Sequence, residues 1–202
     1  MLKILLATHN KKKRAEIKSL LKNFKDIEIL NFDDITIDPP QVVEDGKTFR
    51  QNAIKKAVIT SKFFGGLAIA DDSGLEVDVL GGKPGVRSSR FSRTNATDEE
   101  NNEKLLKLLE KVPGKKRKAQ FVCCIALAKN GVMLETFTGT VRGDILASPR
   151  GKNGFGYDPV FVPQSFEKTF AEMTALHKNR ISHRAQALKQ LKEFIEEHRA
   201  AL

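Results

Sequence analysis

The sequence predicts an α/β protein built on a mixed sheet, and three observations predict it. An apolar, strand-length run at residues 3–8 passes through a short turn into a helical pattern. Strand and helix patterns then keep alternating, which is the signature of helices flanking a sheet. Two long apolar runs also flank Lys129-Asn130-Gly131. Asn-Gly at that position is a strong hairpin signal, so a purely parallel sheet is excluded. At 202 residues the chain reads as one domain, residues 1–202, long enough to bury about 70% of its unfolded surface without disulfides or a structural metal.

Each element has its own signal. After Asn10 the helical stripe is Ala15, Ile17, Leu20, Leu21 and Phe24, and a second strand is expected at residues 27–30. Residues 31–46 carry Pro39-Pro40 and five acids, so a loop with local extended structure is expected there. Thr48 starts a helix with the stripe Phe49, Ala53 and Ala57, ending before Gly65-Gly66. Residues 67–70 read as a short buried strand running into Asp71-Asp72-Ser73-Gly74, and residues 75–80 as a separate strand before the Gly81-Gly82-Lys83-Pro84-Gly85 turn. Thr97 with Glu100 forms a capping box for a helix through Leu105, Leu106, Leu108 and Leu109, stopped by Val112-Pro113-Gly114. The hairpin strands are residues 119–128 and 132–141. A glycine loop at 151–156, a short strand at 160–162 and helices at 170–176 and 182–198 complete the chain.

Composition narrows the function. No run of 18 uncharged apolar residues occurs, so no transmembrane helix is expected. The amino terminus has neither the length nor the cleavage pattern of a secretory signal, so a cytoplasmic protein with no membrane partner is expected. Cys123 and Cys124 are adjacent in an apolar run and read as core thiols rather than a disulfide. The 35 Lys and Arg against 25 Asp and Glu give a net charge of +10, which attracts polyanions, free nucleotides among them.

Four constellations can carry chemistry. Asp71-Asp72 at a strand end would repel each other, and a divalent cation taken up with substrate phosphates would relieve that. The same four residues, Asp-Asp-Ser-Gly, are good turn chemistry, and both readings stay open on the motif alone. Glu44, before the Thr48 helix, offers a further carboxylate. Thr8-His9-Asn10-Lys11-Lys12-Lys13, between strand and helix, offers free amides, a hydroxyl and lysines to a phosphate. It is not a Walker A loop, and a solvated basic helix end is its bland alternative. Gly154-Phe155-Gly156-Tyr157-Asp158 combines glycines that permit close backbone approach with aromatics that can stack on a flat ligand. Lys178, His183 and Arg184 add donors near the last helix.

Thr8-His9-Asn10-x-x-Lys13, Ala70-Asp71-Asp72-Ser73-Gly74-Leu75, Gly81-Gly82-x-Pro84-Gly85, Gly154-Phe155-Gly156-Tyr157-Asp158-Pro159 and Ile181-Ser182-His183-Arg184 follow one another in the order and spacing of a known family. The chain resembles the inosine and xanthosine triphosphate pyrophosphatases of the house-cleaning type, from about residue 1 to residue 191. The resemblance implies a two-lobed homodimer around an elongated mixed sheet, with the substrate cleft between the lobes. It implies magnesium-dependent hydrolysis of ITP, dITP and XTP to the monophosphate and pyrophosphate. Asp72 would be the general base, with Glu44 and Asp72 on magnesium and Asp71 in support. Thr8, Asn10, Lys13 and Lys56 would hold the phosphates, beside His9, Lys11 and Lys12, and Ser73 would touch substrate. Phe155 would stack on the purine next to Gly156 and Tyr157. Asp158 and Lys178 would reach its polar edge, and His183 and Arg184 would donate to the 6-oxo group. His9 stands where some members have glycine. A basic nucleic-acid-binding module using Lys11 to Arg14 and Lys115 to Lys118 would leave the acids and the glycine loop unused, so no nucleic-acid partner is expected. A pyrophosphatase for modified pyrimidine nucleotides is disfavoured by His183-Arg184.

Overall fold

The computed structural model describes residues 1–22, 24, 27–35 and 39–202. The α/β architecture is as expected: six strands form one mixed sheet in the order β2-β1-β3-β4-β5-β6. The chain divides into two compact units, Met1–Asp72 with Cys123–Gly139 and Arg184–Leu202, and Ser73–Val122 with Thr140–His183.

In the first unit β1 (Leu2–Leu6) lies between β2 (Ile27–Leu30) and β3 (Leu67–Val77), parallel to both. Ile4, Leu5, Leu6 and Ala7 are all buried, as a parallel strand covered on both faces requires. The connections through α1 (Lys11–Leu21) and α2 (Phe49–Phe64) leave β1 and β2 in opposite directions across the sheet. Right-handed crossovers therefore put α1 and α2 on opposite faces. On the α1 face Ile17 and Leu21 share a core with Ile4, Leu6, Ile69 and Ile125, and with Leu188, Leu191 and Ile195 of α5 (His183–His198). Helix boundaries follow their caps. Asn10 caps α1, Thr48 caps α2, and Gly65 ends α2 in the left-handed conformation at φ +69°.

The hairpin forms as predicted. β4 (Lys118–Lys129) and β5 (Val132–Ile145) turn through Asn130 and Gly131, both at positive φ (+50° and +84°), the pairing a type I′ turn demands. In the second unit Leu75 and Val77 of β3 pack with Leu105 and Leu109 of α3 (Asp98–Leu109), Phe121, Phe161 and Phe170. β6 (Phe161–Pro163) pairs antiparallel with β5, one residue beyond the expected 160–162. Cys123 and Cys124 are free and buried, and burial pushes the Cys123 thiol up to about 12. Among the described residues no helix is long and apolar enough to cross a membrane.

Two expectations are corrected. Residues 67–70 and 75–80 are not separate strands joined by a turn: β3 runs unbroken from Leu67 to Val77, and residues 78–80 form a 3₁₀ turn. Asp71 and Asp72 stay in the strand because each finds polar partners on its own face of the sheet. The helix expected at 170–176 is a 3₁₀ turn, Phe170–Glu172, followed by α4 (Ala175–Ile181). Thr169 and Thr174 each cap a separate start with an extended backbone, so one helix cannot run through both. Of the extended loop expected at 31–46, residues 36–38 lie outside the described residues.

Gly74 in β3 has no room for a side chain. A Cβ there would overlap the Ser88 hydroxyl and the Gly85 carbonyl. Ser88 cannot step aside freely, since its Oγ accepts from Leu75 N at 2.9 Å and donates to Gly85 O at 2.7 Å. Gly74→Ala is expected to cost about 1–3 kcal/mol, read as a lower urea midpoint at unchanged m-value.

Candidate active site

The turn after β1 is ordered by its own side chains. Thr8 Oγ1 accepts from Asn10 N at 3.2 Å, and Asn10 Oδ1 accepts from Lys12 N at 3.0 Å and Lys13 N at 3.1 Å. The amides of Lys12 and Lys13, expected to be free for a phosphate, are therefore taken by the cap. Lys11 and Lys12 project from the helix start into solvent, and the exposed His9 ring lies 4.7 Å from that of Phe32. Lys13, one turn in, places Nζ 2.9 Å from Asp71 Oδ2.

Successive residues of a strand face opposite sides of its sheet, and Asp71 and Asp72 do so. Asp71, on the α1 and α5 side, is held by Lys13 and by Arg184 Nη2 at 3.3 Å. Nη1 of Arg184 donates to Glu16 Oε2 at 2.7 Å. Burial alone would raise the Asp71 pKa, but Lys13, Arg184 and Lys56 outweigh it and hold the carboxyl far below the usual range. Burial likewise works to lower Arg184, and Glu16 and Asp71 reverse that to raise it. The two neighbouring carboxylates thus make different direct contacts, Asp71 with Lys13 and Arg184 and Asp72 with Asn52.

Asp72 faces α2. Its Oδ2 accepts from Asn52 Nδ2 at 2.8 Å, and its Oδ1 lies 3.9 Å from Lys56 Nζ. Lys56 also binds Glu44 Oε1 and the Asp71 carbonyl, both at 2.6 Å. Glu44 and Asp72 therefore meet on one ammonium. Burial pushes the Asp72 carboxyl upward despite Lys56 and Lys13 nearby. The Lys56 ammonium would be lowered by burial, but Asp71, Asp72 and Glu44 raise it instead. Among the described residues no three His, Cys, Asp or Glu side chains form a ready metal-ligand group. The half-buried Ser73 follows directly, as the first residue of the second unit.

In the second unit the glycine loop is organised by Asp158. Its Oδ2 accepts from Lys178 Nζ at 2.6 Å and from Phe155 N at 2.9 Å. Gly154, at φ +76°, has no room for a Cβ against that carboxylate. Lys178 lies over the Phe155 ring at 4.9 Å and the Phe170 ring at 5.5 Å, a cation flanked by two aromatic rings. The Gly156 carbonyl accepts from Asn102 Nδ2 at 2.9 Å. Tyr157, expected beside the ligand, is instead a core residue, 3% exposed, with its hydroxyl donating to Ser88 O at 2.8 Å. His183 is buried and stacks on Phe121, ring centroids 4.8 Å apart and planes 7° apart.

Arg184 also departs from expectation. Expected as a donor to a bound base, its side chain is 1% exposed and committed to Glu16 and Asp71. Sequence reasoning missed Glu16, Asn52, Ser88 and Asn102. Asn52 could have been found as a polar residue on the buried stripe of α2, one turn before Lys56. Glu16 has a similar signal, one turn after Lys13 on α1. Ser88 and Asn102 act through tertiary contacts that no local pattern marks.

Arg184→Ala would leave the buried Glu16 carboxylate without its cation and Asp71 with Lys13 alone, so a loss of about 3–5 kcal/mol of stability is expected from urea unfolding. The depressed Asp71 pKa adds a sign: its stabilisation is present above the unfolded-state value of about 4 and is lost as pH falls below it. The difference between wild type and Arg184→Ala should accordingly shrink in acid.

The sequence profile of the Ham1 family matches residues 4–194. A Thermoanaerobacter pseudethanolicus protein named dITP/XTP pyrophosphatase is 49% identical over 196 residues, 96% of this chain and 96% of its own length. A Geobacter sulfurreducens protein of the same name is 48% identical over 195 residues, 96% of this chain and 97% of its own length. A solved HAM1 protein from Coxiella burnetii is similar with a TM-score of 0.87 at 44% identity, covering 98% of this chain and 100% of that one. Fold, motif order and near full-length identity agree, and the chain belongs to the Ham1 family.

Proposed function

We propose that this protein hydrolyses the triphosphates of non-standard 6-oxo purines, ITP, dITP and XTP, to the monophosphate and pyrophosphate, clearing them from the nucleotide pool. The observation that carries the reading is the meeting of Glu44 and Asp72 on Lys56, in a chain nearly half identical to proteins named dITP/XTP pyrophosphatase. Asp72 is the general base. Asn52 fixes the orientation of its carboxylate, which orients the attacking water and takes its proton. Lys56 and Lys13 supply positive charge for phosphate oxygens, and Thr8 and Asn10 fix the turn from which Lys13 projects.

Magnesium fits the donor set. Glu44 and Asp72 present hard carboxylate oxygens to a position that already holds a cation, the Lys56 ammonium. Those two residues would hold the ion, while Asp71, turned to the other face, supports the strand. When bound, magnesium neutralises charge on the phosphates and on the departing pyrophosphate.

Base recognition falls to the Phe155 loop in this proposal. Phe155 offers a stacking face, and Lys178, held by Asp158, offers a donor-only ammonium. With His183 it favours a 6-oxo group, since a 6-amino group facing donors leaves them unpaired in a dry pocket. The proposal includes a cytoplasmic homodimer, and a monomer by sedimentation at micromolar protein would remove that part of it.

With magnesium, ITP and XTP should yield monophosphate and pyrophosphate with no diphosphate intermediate, and orthophosphate as primary product would contradict the assignment. Asp72→Asn should lower turnover by about 10³ while substrate still binds, the scale of a lost general base. More than about a tenth of wild-type turnover would remove Asp72 from that role.

A further inference from the structure

The segment ahead of α2 is fastened to that helix in reverse order, residue by residue. Glu44 pairs with Lys56 at 2.6 Å and Asp45 with Lys55 at 2.7 Å. The Gly46 amide donates to Asn52 Oδ1 at 2.8 Å, and the Lys47 amide donates to Gln51 Oε1 at 2.7 Å. Two of these four ties continue into the site: Lys56 lies 3.9 Å from Asp72 Oδ1, and Asn52 reaches the carboxylate directly. Asn52 is fully buried, and its Nδ2 donates to Asp72 Oδ2 at 2.8 Å.

Its orientation is forced. The Gly46 amide can only donate, so the Asn52 carbonyl must face it, and the Asn52 NH₂ must then face Asp72. That NH₂ can only donate, so Asp72 Oδ2 is kept as an acceptor and Oδ1 is the oxygen left toward Lys56. Gly46 is what lets the segment come this close: a Cβ there would lie 2.9 Å from Gln51 Cβ and on top of the Asn52 carbonyl oxygen. One side chain thus ties the Asp72 carboxylate directly to the segment carrying Glu44.

We propose that Asn52 is a positioning residue for the hydrolysis: it touches no substrate and acts through Asp72, setting the carboxylate's orientation relative to Glu44. The inference rests on the reading of Asp72 as the base. Gln51 is its natural control, since it makes the adjoining tie to Lys47 and does not reach Asp72.

The test is a double-mutant cycle on the full chain, with kcat and KM for ITP measured beside urea unfolding. Asn52→Ala should lower kcat about 10- to 100-fold, the cost of misplacing a reacting group by an ångström or less. KM should stay within about threefold, and Gln51→Ala should keep kcat within about threefold. In the Asp72→Asn background, Asn52→Ala should change the residual turnover less than about threefold, because its target is gone. Asn52→Asp, which keeps the volume and the Gly46 tie but loses the donor, should lose kcat comparably, so the inference stays testable if the alanine variant folds poorly. An Asn52 effect equally large with and without Asp72, or an Asn52→Ala kcat near wild type while Asp72→Asn is inactive, would overturn the positioning role alone. An active Asp72→Asn would overturn the base reading, and this inference with it.

Discussion

Two adjacent carboxylates lie inside one buried strand, and the structure depends on how their charge is compensated. Alternation along β3 sends Asp71 and Asp72 to opposite faces of the sheet, so their carboxylates have different direct partners. One face answers with Lys13 and Arg184, the latter anchored in turn on Glu16. The other answers with Asn52 and, at a longer distance, Lys56. The placement of α1 on one side and α2 on the other follows from crossover handedness, α5 packs on the α1 side, and this arrangement is also what the strand's charge requires. Losing any one compensating group leaves a charge in a medium where it is poorly solvated.

The two aspartates end up with different chemistry because their surroundings differ in kind. Asp71 is surrounded by cations and is locked in its ionised form, which suits a strut. Asp72 accepts directly from the neutral Asn52 amide and lies farther from the Lys56 ammonium, and burial raises its pKa. A desolvated carboxylate with a raised pKa retains basicity, which suits proton transfer. Identical residue types, one position apart, are thus separated into structural and chemical roles by the alternation of a β-strand. The second unit repeats the device on a smaller scale. Asp158 spends its charge on Lys178 and on the Phe155 amide, and so fixes the loop that presents the aromatic ring.

Much of the fold was legible because its signals are local. Asn10, Thr48 and Thr97 mark helix starts, Gly65 marks an end and Asn130-Gly131 a hairpin, each through a backbone conformation that its own residue type favours. The five motifs likewise gave the family. The continuity of β3 was not legible: Asp-Asp-Ser-Gly reads as a turn until the groups that neutralise it are known. Arg184, whose partner Asp71 is 113 positions away, cannot be found by any local window. The same ambiguity hid which aspartate faces which partners, since a turn and a strand aim adjacent side chains differently. Arg184, a ligand contact by the family resemblance, and Tyr157, one by the glycine–aromatic loop, are spent instead on buried carboxylates and on Ser88 O.

The division of labour within β3 is open to one direct comparison, the urea unfolding curves of Asp71→Asn and Asp72→Asn recorded side by side at neutral pH. Removing the Asp71 charge leaves Lys13 and Arg184 without their common carboxylate, so its midpoint should fall well below wild type. The raised pKa of Asp72 means that its ionised form is disfavoured by folding, so an uncharged side chain there should leave the midpoint near or above that of wild type. Equal losses in the two variants, or a larger loss in Asp72→Asn, would contradict the assignment of Asp71 to structure and Asp72 to chemistry.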